Sequence, residues 1–396
     1  MTLLMRLVMQ MVKFIFYLSI LCLFYVVFYW MLRFETINTS LLLNQNMKYI
    51  LIWSKPDEMF NCLKKKRIAF IENNCYYKNC FVTKNSDYLN GQNKYFSAIL
   101  LNGKEIALNN NFTLPNKTFF KHKYNVFAMK DSSASYPVCN EQFDNYFNFT
   151  WTYKLDSDAV WKYVSVYDKN HKEIGPNINI QWLEYAADSE EISLNFLLKH
   201  KKFTAAWFVS NCNTQSKREV FWNKLKEALE KYDLDVQVVG YCGSRECPRS
   251  TEDECLRILE QFYFYFAFEE SLSDDYVTET VLRSLSSNAV PVVYGGADYS
   301  RFLPPHSYID AKLLGAKKTA YTMAHLIRDK REYLEYFKWI SHYSYEADTT
   351  SVCKLCDLLN RDETKVIKSF RKWWSPHYNA CTEIATTSAV LYPQSK

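Results

Sequence analysis

Glycine is scarce in this chain. Eight glycines in 396 residues is near 2%, against ~7% in an average protein. Proline is sparse as well, at 10, and the two shortfalls exclude collagen-like and low-complexity classes. No single sign of charge dominates, with a net +5 and a pI near 8.4. The basic runs, Lys64–Arg67 and Lys199–Lys202, are short and not interleaved with aromatics on one face. A solvated surface accounts for them, and nucleic acid is not an expected partner. A mean hydropathy of −0.29 excludes a polytopic membrane protein. The G-x-G-x-x-G and Walker signatures are also missing, so the common dinucleotide and nucleoside-triphosphate loops are not expected. Aromatics, by contrast, are plentiful. Phe, Tyr and Trp number 27, 30 and 10, and side chains of that size bury enough surface to exclude a disordered chain. Five of the eight glycines (Gly240, Gly243, Gly295, Gly296, Gly315) fall within 240–315. Glycine is the residue that lets backbone approach a ligand closely, which marks that stretch.

Residues 14–32, FIFYLSILCLFYVVFYWML, form one uncharged, almost wholly apolar run, close to the ~20 residues a helix needs to cross a bilayer. Arg6 and Lys13 precede it, and Arg33 after it is offset by Glu35. That bias predicts a cytoplasmic amino terminus and a lumenal body. Without a small-residue A-x-A cleavage site, the run reads as a retained signal anchor. The sequence therefore divides into a tail over 1–13, an anchor over 14–32 and a stem over 33–47, the plan of a single-pass type II membrane protein. Sequons at Asn38, Asn111, Asn116 and Asn148 fit a lumenal body. So do the twelve cysteines, of which only Cys22 lies in the apolar run, since that density suits an oxidising compartment. Cys353 and Cys356 form a C-x-x-C, which reads as half a zinc site, a redox pair or two structural half-cystines. With no second C-x-x-C and no nearby histidine, disulfides to other cysteines are expected and a metal is not.

Beyond the stem, YILIW (49–53), RIAFI (67–71) and FSAILL (96–101) read as buried strands. From 203 the pattern sharpens. A strand FTAAWFV (203–209) precedes an S-x-x-E capping box at Ser216 and Glu219, which opens a helix through about Tyr232. DVQVVG (235–240), a helix near 252–259, FYFYFAF (262–268), a helix from about Asp274 to Ser286 and VPVVY (290–294) follow, closed by Gly295-Gly296. Such alternation predicts an α/β fold with a parallel sheet, and ligands bind such sheets at the carboxyl ends of the strands. On the helix of 274–286, Tyr276, Glu279, Thr280 and Arg283 are spaced to share one face, with the helix amino terminus available to a diphosphate.

The segment FYFYFAFEESLSDDYVTETVLRSLSSNAVPVVYGGADYSRFLPPHSYID (262–310) resembles the donor-binding region of the α1,3-fucosyltransferase family, with its F-x-F-E-N-S-x-x-x-D-Y-x-T-E-K and V-P-V-V-x-G. The likeness extends to WFVSNCN (207–213) with Arg218, to Y-C-G (241–243), to FDNYFNFTWTYKLDSDA (143–159) and to SAILLNGKEI (97–106). It implies two Rossmann-like domains facing a cleft, of the GT-B type, behind the anchor. Residues 48–195 would form the acceptor side, 196–375 the GDP-fucose donor domain, and 376–396 a tail. It further implies an inverting Golgi enzyme that moves L-fucose from GDP-fucose to O3 of GlcNAc in glycoprotein glycans, with no cofactor or metal. Tyr276 and Glu279 would contact the fucose and ribose, Arg218 the diphosphate, and Asp131 would act as base. The D-S-D of Asp156 to Asp158 falls on the family's own. Cys80 resembles the family's partner for the carboxy-terminal C-x-x-C, with Cys62 or Cys75 as the other candidate.

The departures from the pattern matter as much. Glu270 stands where the family has Asn, and Thr280 where it has the Lys of T-E-K. Asn102-Gly103-Lys104-Glu105 replaces His-His-Arg-Glu, Asp131 replaces Glu, and Tyr163-Val164 replaces Tyr-Gly. Charge stabilisation of a leaving group is worth ~3 kcal/mol or more, so the missing cation motivates a second reading. In that reading the chain is a catalytically weak or inactive paralogue that binds glycans or other enzymes in the lumen. A purely structural reading of the motif has Tyr276 packed in a core and Glu279 paired with Arg283.

Overall fold

The computed structural model describes residues 2–42, 46–54, 58–89, 95–109, 111–115, 124–183, 194–243, 257–361, 363–375 and 381. Helix α1, Thr2–Leu42, contains Met11–Met31, 21 residues of mean hydropathy 2.3 with no part of them buried. It is long and apolar enough to cross a membrane, as the sequence predicts.

The first domain is a six-stranded parallel sheet made of β1 (Lys48–Trp53), β2 (Cys80–Thr83), β3 (Phe96–Asn102), β4 (Tyr124–Met129), β5 (Phe149–Thr152) and β6 (Ala159–Val160), in the order β2-β1-β3-β4-β5-β6. All six residues of β4 are buried, because a parallel sheet is covered on both faces. The run 67–71 is not a strand. It forms the short helix α2, Ile68–Glu72, which buries Ala69 and Phe70 while Ile68 and Ile71 stay exposed at 53% and 43%. A five-residue apolar run does not distinguish the two periods. Helix α3, Gly103–Leu108, follows β3 directly. β7 (Val164–Asp168) and β8 (Glu173–Gly175) form a small antiparallel pair outside the sheet.

The second domain is a five-stranded parallel sheet of β9 (Phe203–Phe208), β10 (Val236–Val239), β11 (Phe262–Phe268), β12 (Val290–Tyr294) and β13 (Ile309–Asp310), in the order β10-β9-β11-β12-β13. Along β11 the faces alternate as pleating requires. Phe264, Phe266 and Phe268 pack with Leu225, Leu229 and Met323 from helices α4 (Arg218–Glu230) and α6 (Ala311–Arg328). Tyr265 and Ala267 pack with Val281 and Leu285 of α5, Glu279–Ser286. That helix starts five residues later than the sequence pattern suggests. Asp275 adopts a left-handed backbone (φ 59°) and Thr278 an extended one, so the chain turns before it coils. Tyr276 therefore lies ahead of α5 and not on a face of it. The predicted capping box does not form either. Lys217 before α4 is left-handed, and Glu219 accepts from the backbone N–H and the hydroxyl of Thr214. The predicted helix near 252–259 lies largely outside the described residues.

After α7 (Lys330–Glu335), β14 (Tyr343–Ala347) pairs antiparallel with β7. The chain then returns to the first domain. Leu355, Leu358 and Leu359 of α8 (Ser351–Asn360) share a core with Ile50, Val126 and Trp151. Phe370 and Trp374 of α9 (Phe370–Trp374) pack on Phe127 at 4.7 and 4.9 Å. Residues 351–375 thus pack on the first domain although they follow the second in the chain. Disulfides Cys75–Cys353 and Cys80–Cys356 fasten this return, so the C-x-x-C bonds outward through both cysteines. Cys62, the other candidate, is free, since both C-x-x-C sulfurs are already taken. Cys139–Cys381 holds the one described residue of the 376–396 tail, and Cys212–Cys242 joins the loops after β9 and β10.

Candidate active site

In the second sheet the chain leaves β9 toward β10 on one side and returns as β11 on the other. The carboxyl ends of β9 and β11 therefore flank a crevice at a topological switch point, where open α/β sheets take their ligands. Arg218, the first residue of α4, spans this crevice. Its Nη1 donates to the Phe268 carbonyl at the end of β11, and its Nη2 to the Asn211 carbonyl after β9 at 3.3 Å. It is 7% exposed, and among the described residues its Nε has no hydrogen-bond partner. Burial lowers its pKa, against the attraction of Glu270, Glu269 and Glu219.

Two adjacent carboxylates follow β11. Glu269, which the sequence reading did not single out, is 1% exposed and sits beneath the start of α5. Its Oε1 accepts from the Thr278 N–H at 2.8 Å and from the Thr280 hydroxyl at 3.2 Å, while its Oε2 accepts from the Thr278 hydroxyl at 2.9 Å. Burial pushes its pKa up to about 7, and these hydrogen bonds only partly offset that. The hydroxyl of Thr280, where a lysine was expected, is thus engaged with Glu269. Glu270 is half-buried and accepts from Asn211 Nδ2 at 3.3 Å. Glu279 is exposed and pairs with Arg283 at 3.7 Å.

Tyr276 is 3% exposed and lies between the domains. Its ring meets Tyr153 edge-on at 5.1 Å and Tyr163 at 6.0 Å, both from the first domain. The structural reading of the motif, with Tyr276 packed and Glu279 paired, describes these contacts correctly. Asp275 beside it accepts from the Leu155 N–H at 3.1 Å and from Arg301 at 3.1 Å, and this fixes the turn. Tyr163, noted above only as a departure, shares a hydrogen bond with Tyr276 and donates to the Lys130 carbonyl at 3.0 Å. Burial pushes both phenols well above 10.

Asp131 follows β4 at the carboxyl edge of the first sheet. Its carboxylate is 36% exposed and 3.3 Å from Lys104 Nζ at the start of α3. Burial opposes the Lys104 charge, but Asp131 and Tyr136 outweigh it and raise the ammonium pKa. The next residues bind the loop after β11. Ser132 Oγ hydrogen-bonds Ser271 Oγ and lies 3.1 Å from Ser273 Oγ, and Ser273 accepts from the Ala134 N–H at 3.0 Å. Lys130, also unpredicted, covers the Tyr163 ring at 4.4 Å. Burial lowers its ammonium against the pull of Asp348, Cys62, Glu279 and Asp131. The only sequence signal for these residues was their place beside a strand end.

The D-S-D points elsewhere. Asp156 accepts from Trp373 Nε1 at 2.8 Å, and Asp158 from the Thr150 N–H at 2.9 Å and from Lys365. Four of the five clustered glycines, Gly315 excepted, sit where a Cβ would meet neighbouring atoms. A Cβ at Gly296 would lie 2.6 Å from the Leu272 carbonyl carbon and the Ser273 N, so the turn after β12 closes tightly on the loop after β11. Of the sequons, Asn111 is exposed and Asn116 lies outside the described residues, as does the side chain of Asn38. Asn148 is built into the fold. Its Oδ1 accepts from the Asn125 N–H at 2.7 Å and its Nδ2 donates to the Lys365 carbonyl at 2.7 Å.

Two family models match the chain, "Fucosyltransferase, N-terminal" over residues 45–164 and "Glycosyltransferase family 10 (fucosyltransferase) C-term" over 198–373. Over 266 residues the chain is 36% identical to alpha-(1,3)-fucosyltransferase C of Drosophila melanogaster, covering 66% of this chain and 60% of that protein. It is 31% identical over 252 residues to a 3-galactosyl-N-acetylglucosaminide 4-alpha-L-fucosyltransferase of Homo sapiens, covering 60% and 61%. It therefore spans about three fifths of the length of each relative. It also aligns with a crystal structure of an α1,3-fucosyltransferase with GDP-fucose, at TM-score 0.48 and 13% identity, covering 80% of this chain and 91% of that one.

Proposed function

Because the chain belongs to glycosyltransferase family 10, the fucosyltransferases, we propose that it transfers L-fucose from GDP-fucose to O3 of a GlcNAc in glycoprotein glycans, with inversion. The observation that carries this is the placement of Asp131. Its carboxylate stands open at the cleft, oriented by Lys104, and the residue after it is hydrogen-bonded to the donor loop. A general base must lie within reach of the proton it takes, and here one loop holds the base at a set distance from the other. Asp131 accepts the proton of the acceptor hydroxyl as its oxygen bonds to the fucose anomeric carbon. The bond from that carbon to GDP breaks, the electron pair leaves on the diphosphate, and no covalent enzyme intermediate forms. Arg218 supplies positive charge at the crevice floor. Tyr276 and Tyr163 wall the space between the domains and exclude water from it. We assign the apolar part of α1 to a Golgi membrane and the body to the lumen, on the charge bias flanking the run and the four disulfides.

The Thr280 hydroxyl committed to Glu269, with Glu270 in place of an amide, favours a second reading. In it the chain is a weak or inactive member that keeps the fold to bind glycans or enzymes. Calorimetric titration of the full chain with GDP-fucose, with product analysis on GlcNAc-terminated acceptors, separates the two. Micromolar binding with product supports the transferase, and undetectable binding with no product supports the other.

A further inference from the structure

A groove of about 490 Å³ opens at the amino ends of β1 and β2, where Lys48 and Cys80 begin the two strands side by side. β1, β3 and β4 run parallel, so Asp131 lies at the other end of the sheet, ~20 Å away along a six-residue strand. Lys48, Arg67 and Lys78 line the groove, and among the described residues no carboxylate does. Nor does any of the three take part in a salt bridge among the described residues. The acid nearest to Arg67 and Lys78 in sequence, Glu72, pairs with Lys65 at 2.6 Å.

The groove is built before any ligand arrives. Loop 75–80 is fixed at both ends by Cys75–Cys353 and Cys80–Cys356. The carboxamides of Asn79 and Asn360, also in the lining, bond reciprocally at 2.9 and 3.0 Å, and Asn79 Nδ2 donates to the Asn46 carbonyl at 2.6 Å. These amides hold the shape and the cations are left to bind. Arg67 Nε donates to the Lys78 carbonyl at 3.0 Å, so its two Nη groups remain to form a fork on one anionic group. Tyr76 and Tyr77 complete the lining, with Tyr76 at 87% exposure and the two rings edge-on at 4.8 Å. Binding groups set in advance spare a ligand most of the cost of ordering them.

Three like charges in one groove repel one another, and an anion relieves that repulsion. The volume is more than a bare sulfate or phosphate ion fills, and it falls within the ~300–1,000 Å³ of sites for small organic ligands. Adjacent tyrosine rings offer flat apolar surface for the C–H face of a pyranose and phenols for its hydroxyls. An acidic peptide would use the cations alone. Rings and cations side by side call for a ligand that carries charge and flat C–H faces together. We propose that this groove binds an acidic oligosaccharide, with a sulfate ester or a sugar carboxylate among Lys48, Arg67 and Lys78 and a pyranose ring against the tyrosines. It is a glycan site separate from the cleft that holds Asp131, and it does not rest on the transferase reading.

The test is calorimetric titration of the full chain in uncharged detergent with a sulfated tetrasaccharide and with a sialylated trisaccharide. Each is compared with its desulfated or asialo form, with inorganic sulfate and with a hexaglutamate peptide. At least one acidic sugar should bind, and its neutral form should bind about tenfold more weakly or less. Which of the two binds identifies the anion as sulfate or carboxylate. Lys48→Gln with Arg67→Gln and Lys78→Gln should weaken that binding about tenfold or more. Tyr76→Ala with Tyr77→Ala should weaken it about fivefold. Thermal midpoints of both variants confirm folding, and the exposed tyrosines decide the matter if the triple variant does not fold. No binding by either acidic sugar overturns the proposal, as does binding that the folded variants leave unchanged. Inorganic sulfate or hexaglutamate binding as tightly as the sugar overturns it in favour of a plain anion or peptide site. Transfer plays no part in the readout, so any of these failures leaves the proposed activity standing.

Discussion

Ser132, the residue after Asp131, shares a buried hydrogen bond with Ser271, the residue after Glu270. Through it the loop that presents the proposed base and the loop that ends the donor-side strand are fixed to each other across the cleft. The bond also engages Ser273 and, from Ser271, Gln215 Oε1 at 3.2 Å.

If this bond sets the distance between base and donor, Ser132→Ala lowers kcat about tenfold and leaves the donor KM within about twofold. A buried hydroxyl left without its partner costs ~1–3 kcal/mol. Steady-state kinetics with Ser132→Ala, Ser271→Ala and the double variant check this. The double variant should lose no more than the worse single one, and fully additive losses would show the two residues acting independently.

Glu269 makes stability depend on pH. Its folded pKa of about 7 lies above the unfolded carboxylate value, so the folded state holds the proton longer. Stability from this group is complete below about pH 4.5 and falls as pH rises toward 7, by about 3 kcal/mol in total. Glu269→Gln keeps the acceptor for the Thr278 N–H, so its thermal midpoint should vary less between pH 5 and 7 than that of the unaltered chain. Parallel melts across that range give the comparison.

The longest apolar strands of the second sheet were legible in the sequence, and the turns between them were not. FYFYFAF and VPVVY are apolar runs of strand length with β-formers throughout, and both appear where the pattern puts them. The helix after FEES was displaced because Asp275 takes a left-handed conformation, which a residue other than glycine does not announce. RIAFI was misread because a five-residue run carries too little periodicity. Motif likeness is what proposes Asp131, Tyr276 and Arg218 as site residues. It does not propose Glu269 or the serine cluster, because their roles come from hydrogen bonds between loops distant in sequence, such as Ser132 with Ser271. Likewise, C-x-x-C spacing alone did not assign Cys75 to Cys353, and only the return of α8 to the first sheet explains that pair.

Charge at the donor end is the weak point of the site. Glu270→Asn with Thr280→Lys removes one carboxylate and adds a cation near the start of α5. It should tighten GDP binding about tenfold or more, since an opposed charge near a diphosphate is worth over a kcal/mol. Titration of the variant with GDP measures this, and unchanged affinity would show that these two positions do not limit binding.

Asn148 and Asn111 should behave differently when the chain passes through a secretory compartment. Asn111→Gln should remove one glycan and raise gel mobility, whereas Asn148→Gln should leave the glycan count unchanged. Asn148→Ala leaves the Asn125 N–H without its acceptor and should lower stability by about 2 kcal/mol. A glycan on Asn148 would show that the strand end opens before folding is complete.

Everything in the proposed transfer turns on Asp131 taking the acceptor proton. The most direct test compares Asp131→Asn with the unaltered chain in single-turnover transfer from GDP-fucose, with GDP affinity measured on the same preparations. Transfer should fall by about a hundredfold or more while GDP binds as before. Equal turnover by the variant would contradict it and remove Asp131 from the mechanism.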